Sequence, residues 1–169
     1  GIAEPQGIAV APNGTVYLSE QTCRILALDP RGVLTVVAGT GTCEAGAATG
    51  SATEVSLDRP RGLALDHANH VLFVAEYGAN RVRVIDLAAN SIATFAGNGT
   101  TVETDIGDGG LATSAVVSAP MHVWVGPAPA RDVSAVRSRP SISRRPDSSA
   151  AASTNSKAAM PQRTSRSSR

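Results

Sequence analysis

The chain has 169 residues, of which 3% are aromatic and 17% charged, with a formal net charge of +1. That length suits one domain, the composition is not that of a coiled coil, and no run of roughly 18 apolar residues is present to cross a membrane. The near-neutral total conceals a division near Gly126: residues 1–125 carry 12 acids against 6 Arg, a net of −6, while residues 126–169 carry 9 bases against 2 Asp, a net of +7.

The opening Gly1-Ile2-Ala3-Glu4-Pro5 has neither an initiator Met nor a signal-peptide pattern, so the chain reads as a fragment and its compartment stays open. Pro5-Gln6-Gly7-Ile8-Ala9-Val10 begins the first apolar run, and Asn13-Gly14 follows it with the chemistry of a two-residue hairpin turn. Thr15 to Glu20 and Arg24 to Asp29 are the next runs, and Asp29-Pro30-Arg31-Gly32 marks another reversal. Leu34 to Ala38 ends in Gly39-Thr40-Gly41. These runs of Val, Ile, Leu and Thr, bounded by Gly, Asn, Asp or Pro, predict strands near 7–11, 15–19, 24–29 and 33–38.

The same order then returns. Pro60-Arg61-Gly62-Leu63-Ala64-Leu65 matches the first run, Val71 to Glu76 the second, Arg81 to Asp86 the third, and Ile92-Ala93-Thr94-Phe95-Ala96-Gly97 the fourth. Strands are predicted near 62–66, 71–75, 81–86 and 91–96. A third start, Pro120-Met121-His122-Val123-Trp124-Val125, follows after a second connector. The prolines lie 55 and 60 residues apart, and no stretch of 1–125 carries a sustained helical period. Four-stranded units at this spacing are the signature of propeller blades. The expected fold class is therefore all-β: a partial β-propeller with two four-stranded antiparallel blades, about 5–41 and 60–99, joined by connectors 42–59 and 100–119. The first strand of a third blade and a disordered tail complete it.

Pro-x-Gly-Ile/Leu-Ala-Val/Leu, a strand ending in an acid, an Arg-Ile/Val pair and Ala-Gly-x-Gly together resemble the NHL repeat family over residues 5–125. Glu76-Tyr77-Gly78-Ala79-Asn80-Arg81-Val82 is similar to that family's acid-x-Gly-Asn-x-Arg hallmark, with Glu where Asp is usual. In the first repeat the same stretch is one residue shorter, Glu20-Gln21-Thr22-Cys23-Arg24-Ile25. Gly107-Asp108-Gly109-Gly110-Leu111-Ala112-Thr113 looks like a connector variant of such proteins. The resemblance implies a six-bladed ring of on the order of 340 residues, of which two blades are present here.

Antiparallel alternation puts loops 20–24 and 76–81 and connectors 39–60 and 97–120 on one face. Loops on a rigid frame are where recognition resides. Glu20, Gln21, Thr22, Glu44, Tyr77, Asn80, Glu103, Asp105 and Asp108 are thus the candidate interaction residues, for a protein or small-ligand partner of unspecified identity. Glu20–Arg24 and Glu76–Arg81 recur with the repeat and read as structural ion pairs. No catalytic, cofactor-binding or metal-binding residue is assigned. His67-Ala68-Asn69-His70 falls in a polar turn without a third ligand in the matching turn, and Asp105 to Gly110 lacks the calcium-loop spacing. His122 stands alone, where the earlier repeats have Gly7 and Gly62. Cys23 and Cys43 lie in different loops of one repeat, and their pairing stays open on sequence grounds. Asn13-Gly14-Thr15 and Asn98-Gly99-Thr100 match a glycosylation sequon, a slight lean to a secreted parent that Asn-Gly turn chemistry explains equally well.

The expected function is a non-catalytic binding or scaffold module. The alternative is part of a propeller enzyme, similar to amidating lyases or lactonases, whose metal and catalytic residues lie in missing blades. Strands 7–11 and 62–66, the innermost of each blade, contain no His and only Asp66 at an end. A nucleic-acid partner is disfavoured by the net −6 of the body. Residues 126–169, with 11 Ser and 5 Pro, are too poor in apolar side chains to fold and read as a solvated tail, a frame-shifted read, or, last, a basic arm.

Overall fold

The structure is a computed structural model that describes residues 1–101 and 109–126. Nine strands follow in chain order: β1 (Pro5–Val10), β2 (Val16–Glu20), β3 (Arg24–Leu28), β4 (Leu34–Ala38), β5 (Thr49–Ser51), β6 (Pro60–Asp66), β7 (Val71–Glu76), β8 (Arg81–Asp86) and β9 (Ser91–Ala96). They form two antiparallel sheets, ordered β1-β2-β3-β4 and β5-β9-β8-β7-β6. All eight expected strands are present, and the fold is a partial β-propeller.

The turns form for the reasons their residues supply. The Asn13 Oδ1 accepts the Thr15 amide at 3.0 Å, and the Asp29 Oδ1 accepts those of Arg31 and Val33 at 2.9 and 2.8 Å. Asp66 and Asp86 do the same for the turns that follow them. Each side-chain bond fixes a reversal that the backbone alone would leave loose.

The repeat extends to backbone conformation. Positive φ occurs at Glu4, Arg59 and Ala119, each preceding a repeat's proline, and at the matched Cys23 and Asn80. Register shifts recur as well, between Ile25 and Leu26 against β4 and between Val82 and Arg83 against β9. These bulges bend both blades at the same place.

The sheets stack through a core of Ile25, Ala38, Ala52, Val55, Leu57, Leu63, Leu72, Val74, Ile85 and Ile92. Gly7 and Gly62 allow the innermost strands to approach. A Cβ at Gly7 would stand 2.3 Å from the Arg61 carbonyl oxygen, and one at Gly62 would stand 2.7 Å from the His122 Cα. Both glycines of the Pro-x-Gly pattern are thus demanded by the next blade's backbone.

Two expectations are corrected. The second blade, expected with four strands, has five, because β5 joins its sheet by pairing Thr49, Gly50 and Ser51 with Ala93, Ile92 and Ser91. This strand covers the outer edge of β9, whose amides and carbonyls would otherwise lack ladder partners. Residues 121–125 form no strand: only His122 makes a one-residue bridge, and the Gly62 amide donates to the Met121 carbonyl at 3.0 Å. A strand needs a ladder along its length, and this segment has no such neighbour among the described residues. Val117, Val123 and Val125 instead cover the second face of the second sheet, against Phe73, Val82 and Phe95. The expected tail, residues 127–169, lies outside the described residues.

Candidate functional site

Two buried carboxylates organise the loop face. Glu20 ends β2 and accepts the Ala3 amide at 3.0 Å, the Thr22 hydroxyl, and Arg24 at 2.6 Å. Burial pushes its carboxyl up, but the hydrogen bonds from Thr22, Ala3 and Arg24 and the Arg24 charge outweigh that, holding it below the usual carboxylate range. Glu76 ends β7 and accepts the Asp58 amide at 2.9 Å, Arg81 at 3.1 Å and Arg83 at 3.3 Å. Ala3 and Asp58 each stand two residues before their repeat's proline, so one contact recurs in both blades.

Arg83 is the member of this network that the repeat pattern does not announce, since the first blade has Leu26 in its place. Its side chain is fully buried and donates to the carbonyls of Ala47 at 2.8 Å, Ala48 at 3.3 Å and Ala93 at 3.3 Å. Arg81 donates to the Gly46 carbonyl. Together they hold the connector where it becomes β5. Burial lowers the Arg83 pKa from its ordinary value, while the neighbouring Glu76 charge acts in the opposite sense.

The remaining candidates fall around this frame. Gln21 and Thr22 are exposed at the β2–β3 loop. Glu44 is exposed and accepts the Ser56 hydroxyl at 3.2 Å. The Asn80 Oδ1 accepts the Ala119 amide at 2.9 Å, latching the β7–β8 loop to the segment entering the third repeat. At the matching place Cys23 accepts the Arg59 amide through sulfur and is disulfide-bonded to Cys43. Connector and loop of the first blade are thereby joined. Glu103, Asp105 and Asp108 lie outside the described residues.

Tyr77 lies half-buried beneath two guanidinium groups, that of Arg61 at 4.6 Å from the ring centroid and that of Arg59 at 5.7 Å. Both arginines went unnoticed in the sequence, because neither belongs to the repeat: the first blade has Gln6, Glu4 and Gln21 in place of Arg61, Arg59 and Tyr77. The basic residue type was the available signal, and only the fold brings the three together.

At the opposite end of the sheets, His67, Asn69 and His70 are exposed in their turn, and Asp66 is taken up by the Asn69 side chain at 2.7 Å. That hydrogen bond is the main cause holding the Asp66 carboxyl below its ordinary range. A groove lined by Tyr17, Val37, Ile85, Leu87 and Asn90 also opens between the sheets, away from the loop face.

No family model matches the chain, and no curated protein does. Solved structures do. The chain is similar to an auxiliary nutrient binding protein of Bacteroides thetaiotaomicron, with TM-score 0.55 and 20% identity over 69% of this chain and 31% of that one. A second auxiliary nutrient binding protein, from Bacteroides ovatus, gives TM-score 0.54 and 21% identity over the same shares. A protein of unknown function from Bacteroides thetaiotaomicron gives TM-score 0.55 and 18% identity, covering 66% of this chain and 27% of that one. The likeness is one of fold. The chain spans less than a third of the length of these proteins.

Proposed function

We propose that residues 1–125 are a segment of an NHL-like propeller whose loop face binds a protein or small ligand without catalysing a reaction, residues 126–169 being a separate tail. The observation that carries this reading is the contrast between frame and rim. Prolines, glycines, buried glutamates and positive-φ positions recur between the blades, whereas the rim positions beside them change: Gln21 against Tyr77, Glu4 against Arg59, Gln6 against Arg61. A frame held constant under a varied rim is how a repeat scaffold presents a recognition surface. Two of the similar folds are nutrient binding proteins, which agrees with a binding role while resting on fold alone.

The second reading, a portion of a propeller enzyme, rests on Asp66 at the end of an innermost strand and on blades beyond this chain. Thermal-shift screening of sugars, short peptides and small acids, with the chain and with a variant carrying Ser at Gln21, Thr22 and Tyr77, tests the binding reading. A ligand that raises the melting temperature of the first and not of the second supports it. A shift that survives the loop replacement, the absence of any shift, or turnover of a simple lactone by the chain overturns it.

A further inference from the structure

Five of the six arginines among the described residues meet a carboxylate: Arg24 with Glu20, Arg31 with Asp29, Arg59 with Asp58, and Arg81 and Arg83 with Glu76. Arg61 meets none. Its Nε is buried and lacks a hydrogen-bond partner, as does that of Arg81, but Arg81 spends its other donors on Glu76 and the Gly46 carbonyl. The neighbouring carboxylates are engaged, Glu76 by two arginines and Asp58 by Arg59 at 3.2 Å.

The residue is nevertheless held in place. The Ser19 hydroxyl donates to its backbone carbonyl, and the following amide, that of Gly62, donates to Met121 at 3.0 Å. Its guanidinium carbon lies 4.6 Å from the Tyr77 ring centroid, within cation–π range. The Tyr77 amide in turn donates to the Arg59 carbonyl at 3.2 Å, which ties the ring to the same turn. The fold itself does not require this trio, since the matched positions Gln6, Glu4 and Gln21 serve the first blade in the same backbone setting.

We infer that Arg61, set on Tyr77 and flanked by Arg59, is a binding point for the carboxylate of a small acid at the mouth of the innermost strands. The two terminal nitrogens of a planar guanidinium offer parallel donors that match a carboxylate's two oxygens. The body around it carries a net −6, so the ligand is a small acid whose remaining groups are neutral. This deepens the reading of the loop face as a recognition surface and rests on it, but the two fail separately: a neutral ligand lost with the loops would uphold that reading and sink this one.

The test is a titration of the full chain, labelled with 15N-arginine, with sodium acetate at constant ionic strength, following the Nε–Hε resonances. The Arg61 resonance is expected to move saturably, that of the exposed Arg31 to stay in place, and neutral acetamide to move neither. Arg61→Gln, which installs the residue type of the matching Gln6, is expected to weaken acetate binding at least about tenfold, read on the Tyr77 ring protons. A linear shift shared by Arg61 and Arg31, or no shift, overturns the site. Inorganic phosphate saturating Arg61 where acetate does not overturns the ligand class. Should the variant fail to fold, the comparison of Arg61 with Arg31 in the unmodified chain decides alone.

Discussion

The carboxylate of Glu76 receives the backbone amide of Asp58 at 2.9 Å across 18 residues of chain, and thereby anchors the start of the second blade's innermost strand to the end of its neighbour. Three donors converge on that one buried acid. Glu76→Ala is expected to destabilise the fold by about 3–5 kcal/mol, because it leaves the buried Arg83 charge unpaired. Arg81→Ala, which leaves Arg83 to satisfy the acid, costs about 1–3 kcal/mol. Urea unfolding followed by circular dichroism measures both, and equal losses would contradict the division of labour.

The Glu20 carboxyl supplies a pH dependence whose sign is fixed. Its folded pKa lies below the ordinary 4.5, so the unfolded chain binds the proton more readily. The stabilisation is present above that ordinary value and is lost as pH falls through the folded one. Unfolding midpoints from neutral pH down to about pH 3 should therefore show the gap between the unmodified chain and Glu20→Gln narrowing with acid. A gap independent of pH would refute the assignment.

Gly7→Ala and Gly62→Ala should each destabilise the protein, since the added methyl meets neighbouring backbone at 2.3 and 2.7 Å with no flexible side chain to yield. The cost expected for such overpacking is about 1–3 kcal/mol. Gly32→Ala provides the control, because its Cβ would meet nothing within 4 Å, though its positive φ carries its own smaller strain. Thermal melts of the three variants check the order.

Cys43→Ser removes the Cys23–Cys43 disulfide, which closes a loop with a sequence separation of 20. A loss of roughly 3 kcal/mol is expected on loop-closure grounds. Melting the unmodified chain with and without reductant should reproduce the loss, and a reductant-insensitive melt would refute it.

The first sheet turns Ile8 and Val10, 62% and 61% exposed, and Val36 away from the second sheet, on the face matching the one that Leu63, Leu72 and Ile85 bury. An open apolar blade face is an association surface. Concentration-dependent oligomers are expected in sedimentation, reduced by Ile8→Glu. A monomer at all concentrations would show the face to be self-sufficient.

Much of this protein could be read from the order of its residues. Proline, glycine and acid recurred in register, so eight strands, their antiparallel order and the Glu20–Arg24 and Glu76–Arg81 pairs followed from pattern alone. Such features are local or repeated, and a repeat states its own constraints twice. What occurs once escaped. Thr49-Gly50-Ser51 carries no strand signal and pairs because the outer edge of β9 needs a ladder. Residues 121–125 carry a strand signal and form none, because pairing depends on a neighbour and not on propensity. Arg83, like Arg59 and Arg61, is an ordinary basic residue in the sequence; the first finds its carbonyls 35 and 36 residues away, and the other two meet Tyr77 across the turn that starts the blade. The one-dimensional pattern determined the frame, since hydrophobic period and turn chemistry act over a few residues. The tertiary structure alone decided which charges are buried, which are satisfied and which is left open, because burial is set by what the rest of the chain places alongside.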